Sequence, residues 1–376
     1  MSVPDSSSQL HKWDYRGAIP AKPEGWDYGY VLNDSLFGTT RERLSKFLED
    51  GGMVSLVWTP ETPELVPPEK VPSLLDAFRK NQRRGARNNV LVGAAFIVFT
   101  VFLALVLEDS RLLYRSFFFV FGAVFLVEGI WQYARSHHYT QEDAVTDAST
   151  ARFSAWFKNQ ALSGYTITLG GYIVIVGIFQ FFATGFLDED SIKVAGLVKP
   201  AVWDGQIWRL FTATLMHANV THFWMNFAVL IHFSKIIEQT VQRACVPLVF
   251  LLSGGAGSVF SVLLYPNSTS VGASGGLMGL LGFITIAAYF DRNKYPPKYF
   301  RQMIEAIVSI GVLGLVGLAF IDNAAHFGGL VGGLLLGWFF LRREQGSREK
   351  LLQFGGIAAL VVLGFIAAFA VYRLLG

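Results

Sequence analysis

The chain has 376 residues, 52% hydrophobic and 16% charged, with a formal net charge of +3 and a mean hydropathy of +0.41. An ordinary soluble chain is about 25% charged, so this composition excludes disorder, collagen, a disulfide scaffold and most soluble folds. The small net charge gives no nucleic-acid footprint, and the single cysteine, Cys245, can form no internal disulfide. Abundant Gly (38) and Phe (33) suit helices packed closely in lipid. The chain reads as a membrane protein.

In chain order, residues 1–88 form a polar piece expected to be cytoplasmic. Residues 1–40 show no clear period. Residues 41–58 predict a short helix and then an apolar strand, Met53 to Trp58. A proline-rich linker (Pro60, Pro63, Pro67, Pro68, Pro72) leads to a short basic helix carrying Arg79, Lys80, Arg83, Arg84 and Arg87. A spanning helix needs roughly 20 apolar residues, and nine segments qualify: about 89–107, 117–133, 165–186, 220–238, 244–265, 272–290, 303–320, 324–341 and 354–375. The first apolar run begins near residue 89, so none reads as a cleavable signal. Lys and Arg are in roughly threefold excess on the flanks that share a side with residues 79–87. That bias predicts an inside N-terminus and, with nine spans, an outside C-terminus.

Three polar constellations lie in or beside the spans, where ionisable groups are costly and therefore mark function. The first is Gly272-Ala273-Ser274-Gly275-Gly276. It matches the spelling of a hydrolase nucleophile elbow, but that elbow needs a strand before it, and here a membrane helix ending at Tyr265-Pro266 precedes. The second is His326, which shares a helix face with Gly329 and Gly333. A similar small stripe runs through Gly275, Gly279 and Gly282. Such stripes let helix backbones approach closely, and a general base must come within about 2.6–3.2 Å of the hydroxyl it deprotonates. Side chains as short as Ser and His can meet only between helices that glycine lets together. The third is His222 and Asn226, one turn apart on one face, paired donors that suit an oxyanion hole. Taken singly, each set also fits plain helix packing or a structural hydrogen bond.

The order Trp208-Arg209-Leu210-Phe211-Thr212, Met216-His217, His222-xxx-Asn226, Gly272-Ala-Ser274-Gly, Ala325-His326-xx-Gly329-xxx-Gly333 resembles the rhomboid intramembrane serine proteases over about residues 164–342. The resemblance implies an all-α polytopic membrane protein: a six-helix rhomboid core at 164–342, two extra spans at 89–133, a cytoplasmic linker at 134–163 and a further span within 343–376. It implies Ser274 as nucleophile, His326 as base, and His222, Asn226 and the Ser274 amide as the oxyanion hole. Gly272 matches the small residue before the nucleophile. Arg209 matches a loop arginine of the family, for which Glu238 is the expected structural partner. Asp322, one turn before His326, stays outside the catalytic set because the family works without a carboxylate. Where well-known members carry a tyrosine that stacks under the base, this chain has Met278, whose thioether can still pack on an imidazole.

The expected function is thus an intramembrane serine endopeptidase acting on single-span or multi-span membrane proteins within the lipid bilayer. No cofactor, metal or nucleic acid is expected, and the location is expected to be a bacterial cytoplasmic membrane. A catalytically inactive rhomboid-like chaperone or adaptor would keep the bundle but lose Ser or His. A transporter would carry inverted repeats, which the sequence lacks. His217, His232 and Glu128 read as structural, and Asn267-Ser268-Thr269 spells a glycosylation site relevant only in a secretory pathway.

Overall fold

The computed structural model describes residues 9–12, 22–32, 35–52, 54–62, 64–106, 108, 117–138, 150, 153–154, 156–157, 160–184, 189–317, 321–342 and 345–376. The chain divides into two compact units, Met1–Asn159 and Gln160–Gly376.

The first unit opens with an antiparallel sheet of β1 (Gln9–Lys12), β2 (Tyr28–Leu32), β3 (Ser35–Thr39) and β4 (Val57–Trp58), in the order β1-β3-β2-β4. Helix α1 (Arg41–Glu49) begins at Thr40, whose hydroxyl accepts from the Arg43 N–H. Leu44 and Leu48, one turn apart, pack with Tyr30 and Phe37 of the sheet. The aperiodic residues 1–40 therefore hold strands, and the strand expected from Met53 shrinks to Val57–Trp58, with Met53 itself outside the described residues. Two turns at Pro68 and Pro72 lead into α2 (Leu75–Val106). At 1.5 Å per residue its 32 residues extend about 48 Å, so the basic helix and the first span are one unbroken rod. Helix α3 (Phe117–His138) packs on α2 through Gly93 and Gly122, where an added β-carbon would fall 2.7 Å and 2.9 Å from the other glycine's carbonyl oxygen.

The second unit is the helical bundle. Its long helices are α4 (Gly164–Thr184), α8 (Val220–Thr240), α9 (Cys245–Leu264), α10 (Ser274–Phe290), α11 (Tyr299–Val316), α12 (Asn323–Leu341) and α13 (Gln345–Leu375). Between α4 and α8 lie α5 (Glu189–Ala195), β5 (Leu197–Val198), α6 (Lys199–Trp203) and α7 (Arg209–Thr212). Strand β5 pairs with β6 (Thr269–Ser270), tying this loop to the segment that enters α10. Helix α10 is the buried axis, packed on α8, α9, α11 and α12. Helix α13 packs on α4 and α9 and reaches the loop, where Trp208 lies between Phe369, the Arg209 guanidinium and the Arg373 guanidinium.

All nine expected spans fall on helices, and six of the described helices are long and apolar enough to cross a membrane. Of the other three, α10 falls short at 17 residues, and α3 and α11 are not among the six. This is an all-α, multi-pass integral membrane protein, with a four-stranded sheet in its N-terminal unit and the short β5–β6 pair in the bundle.

Candidate active site

The glycine stripes expected on two helices meet each other. A β-carbon on Gly329 would fall 2.0 Å from the Gly275 carbonyl oxygen, and one on Gly333 would fall 1.9 Å from that of Gly279. One on Gly282 would fall 2.6 Å from the Leu330 carbonyl oxygen. Both helices thus run in the same direction with backbones in contact, an approach that any side chain would prevent. Ser274 immediately precedes Gly275, and His326 sits one turn before Gly329. The shared register puts the two at the same end of the pair, beside β5 and β6. No hydrogen bond joins Ser274 Oγ to the His326 ring among the described residues.

Ser274 opens α10, and the strain of that turn is carried by Gly272, at φ +140° with its N–H donating to the Ala213 carbonyl at 3.0 Å. A β-carbon at Gly272 would come within 2.8 Å of His222 Cε1, 3.1 Å of His222 Nε2 and 3.6 Å of Asn226 Nδ2. The backbone two residues before Ser274 therefore lies directly against the imidazole and the amide. The Asn219 side chain caps α8 by accepting from the His222 N–H at 2.8 Å, which fixes where that first turn begins. Asn226 Nδ2 is buried and has no hydrogen-bond partner among the described residues. A buried donor left unpaired is costly, and one beside a serine suits an oxygen that arrives only with substrate. Gly272 thus brings the third constellation to the backbone that leads into Ser274.

A small open cleft lies beside Ser274, bordered by Thr214, Ser258, Ser270, Asp322 and Ala325. Met278, one turn below Ser274, is buried. His217 stacks edge-on to His222 at 5.3 Å, and its backbone is held by the Gln180 side chain, which donates to the His217 carbonyl at 2.7 Å and accepts from its N–H at 3.1 Å.

One expected pair is corrected. Glu238 sits sixteen residues beyond His222, about 24 Å further along α8, and so lies at the opposite end of the helix from the loop that holds Arg209. It accepts instead from the Ser163 hydroxyl, from the Ser163 N–H at 2.9 Å and from Thr166 Oγ1 at 2.5 Å. Arg209 donates to the Lys193 and Gly196 carbonyls at 3.0 Å and 2.8 Å and to Gln206 Oε1 at 2.7 Å. Each is structural, but with separate partners.

Sequence reasoning also missed Lys199, buried at 1% exposure, whose ammonium meets Asp322 at 3.4 Å and Ser268 Oγ at 2.6 Å. Burial lowers the Lys199 pKa from its ordinary value, and the Asp322 carboxylate opposes that shift. Burial would raise the Asp322 carboxyl, but the Ser261 hydroxyl, the Ala325 N–H, Ser270 and the Lys199 ammonium together hold it below the ordinary range. Gln180, a lone amide in an apolar span, was also passed over, although a polar group at that depth is a signal; it holds the His217 backbone.

A family model for the Rhomboid domain matches residues 204–343. RHOMBOID-like protein 6, mitochondrial, of Arabidopsis thaliana is 34% identical over 152 residues, covering 40% of this chain and 50% of that protein. RHOMBOID-like protein 7 of the same plant is 37% identical over 146 residues, covering 39% and 46%. Inactive rhomboid protein 2 of Homo sapiens is 29% identical over 187 residues, covering 46% of this chain and 22% of that protein. The chain spans half or less of the length of these relatives. All three are eukaryotic and lend nothing to the expected bacterial location. Residues 204–343 are thus a Rhomboid domain, shared with rhomboid-like proteins.

Proposed function

We propose that the chain is an intramembrane serine endopeptidase that cleaves membrane-spanning segments of other proteins. The observation that carries this reading is the backbone contact of Gly275 with Gly329, which holds Ser274 and His326 at one end of a helix pair while Gly272 rests on His222 and Asn226. In this reading 164–342 is the working core, with the spans at 89–133 and 343–376 added to it and the site on the outer side.

A substrate helix hides its carbonyls in its own hydrogen bonds, so it must unwind locally before attack, and Gly or Pro near the cut lowers that cost. Ser274 Oγ bonds to the scissile carbonyl carbon as His326 takes its proton. The oxyanion that forms is held by His222, Asn226 and the Ser274 N–H. The carbon–nitrogen bond then breaks, and His326 returns the proton to the departing amine. Water, deprotonated by His326, attacks the acyl-enzyme, releasing the new carboxylate and restoring the Ser274 hydroxyl.

The test is cleavage of a generic single-span substrate by the reconstituted full chain. Ser274→Ala and His326→Ala should each abolish cleavage while the protein still inserts and melts normally. Cleavage that persists in either variant rejects the pair. A second reading, a non-cleaving binder of membrane helices, draws on the relative named an inactive rhomboid protein. It is favoured if the wild type binds the substrate and never cuts it.

A further inference from the structure

We infer that Lys199 and Asp322 form a buried clasp that positions His326 against Ser274, with Asp322 acting as a positioning residue; this rests on the protease reading above. The clasp gathers three separate stretches of chain, around Lys199, Ser261 to Ser270, and Asp322. Lys199 opens α6 in the loop, and its ammonium donates to Ser268 Oγ at 2.6 Å, lies 3.4 Å from Asp322 Oδ2 and stands 5.4 Å from the centre of the Tyr265 ring. Ser261, near the end of α9, donates its hydroxyl to the same carboxylate. The other oxygen, Oδ1, caps α12 by accepting from the Ala325 N–H at 3.0 Å. The Lys199 N–H donates to the Ser268 carbonyl at 3.3 Å, beside the β5–β6 pairing.

The reacting groups hang from this knot on short arms. Ser274 follows Ser270 by four residues, and His326 follows Asp322 by four. Asp322 makes no hydrogen bond to the His326 ring among the described residues; its link is main chain, the His326 N–H donating to the Asp322 carbonyl at 3.1 Å. It is therefore not a third member of a relay. It fixes where the first turn of α12 starts, and that turn carries the imidazole.

The two partners are unequal, which gives the clasp a signature. Without Lys199, Asp322 keeps the Ser261 hydroxyl, the Ala325 N–H and Ser270. Without the Asp322 charge, a buried ammonium keeps only one hydroxyl and a ring face. An unpaired buried charge is worse than no charge at all. Removing the aspartate charge must therefore do more harm than removing the lysine, and removing both must undo part of that harm.

The experiment labels the reconstituted full chain with a fluorescent fluorophosphonate and measures the saturating rate and the half-saturating concentration. In parallel, hydrogen exchange is followed over residues 197–200 and 322–326. Asp322→Asn, which keeps an acceptor for the cap, should lower the saturating rate about tenfold or more, the scale of a small misplacement of a reacting group. Half-saturation should stay within about twofold, because binding is not what is lost. Lys199→Met should cost less, and Lys199→Met/Asp322→Asn should recover most of the Asp322→Asn loss. Exchange should quicken in Asp322→Asn and slow again in the double variant. Unchanged labelling and exchange in Asp322→Asn, or a double variant no better than Asp322→Asn, overturns the clasp. If wild type and Ser274→Ala label alike, the protease reading fails, and the exchange pattern alone decides the clasp.

Discussion

Gly329 lies so close to Gly275 that the first carbon of any side chain would collide with a main-chain carbonyl oxygen 2.0 Å away. Backbone cannot yield as a flexible side chain can, so Gly329→Ala must push α12 off α10. Overpacking of this kind costs about 1–3 kcal/mol, and the separation should carry His326 away from Ser274. The expected result is a lower melting temperature and loss of fluorophosphonate labelling. Gly171→Ala in α4, whose β-carbon would meet nothing within 4 Å, is the control and should change neither. Equal behaviour of the two variants would remove the packing argument.

Gly272 answers to two constraints at once. Its φ of +140° disfavours any other residue, and its missing side chain makes room for the His222 ring. Gly205, at φ +96°, shares the first constraint but has open space where a β-carbon would go. Gly205→Ala should therefore cost about 1 kcal/mol of strain and spare labelling. Gly272→Ala should abolish labelling. Labelling rates on the two variants at matched stability check this contrast.

Arg209 and Glu238 should behave as strangers. Glu238→Ala leaves the Ser163 and Thr166 hydroxyls buried without their acceptor, a cost of about 1–3 kcal/mol. Arg209→Gln strips the Lys193 and Gly196 carbonyls of their donor. A double-mutant cycle on melting should give additive losses within about 0.5 kcal/mol, as for distant sites. A coupling of about 2 kcal/mol or more would restore the direct pair.

His217 gives the fold an acid limb. Burial first, and the neighbouring His222 second, hold its pKa well below the ordinary 6.5. The unfolded chain then binds a proton that the folded chain refuses, so stability is full above pH 6.5 and falls as pH drops below it. Melting followed from pH 7.5 to pH 5 should show that decline, and His217→Phe should flatten it. A wild-type profile level across that range would contradict a buried neutral ring.

Much of this was legible in the chain itself. Hydropathy and length marked every long helix of the bundle, because a segment that crosses lipid must satisfy its own backbone hydrogen bonds and therefore declares itself locally. The glycines at 275, 279, 329 and 333 announced close helix packing, since only one kind of contact needs such spacing. Polar pairs on an apolar face, His222 with Asn226, stood out for the same reason. The N-terminal sheet was less visible: its strands are short, and strand pairing is a property of two segments rather than one.

The partners of charged groups belonged to tertiary structure alone. Spelling supplied Arg209, Glu238, Lys199 and Asp322, but not which of them would meet. Glu238 turned to Ser163 and Thr166 because the length of α8 carried it to the far end of the bundle, and Lys199 found Asp322 across 123 residues because β5 folded onto β6. Local pattern determines what a segment becomes, through its own hydrogen bonds and its burial in lipid. Where an ion finds its counterion depends on distances that exist only once the helices have packed.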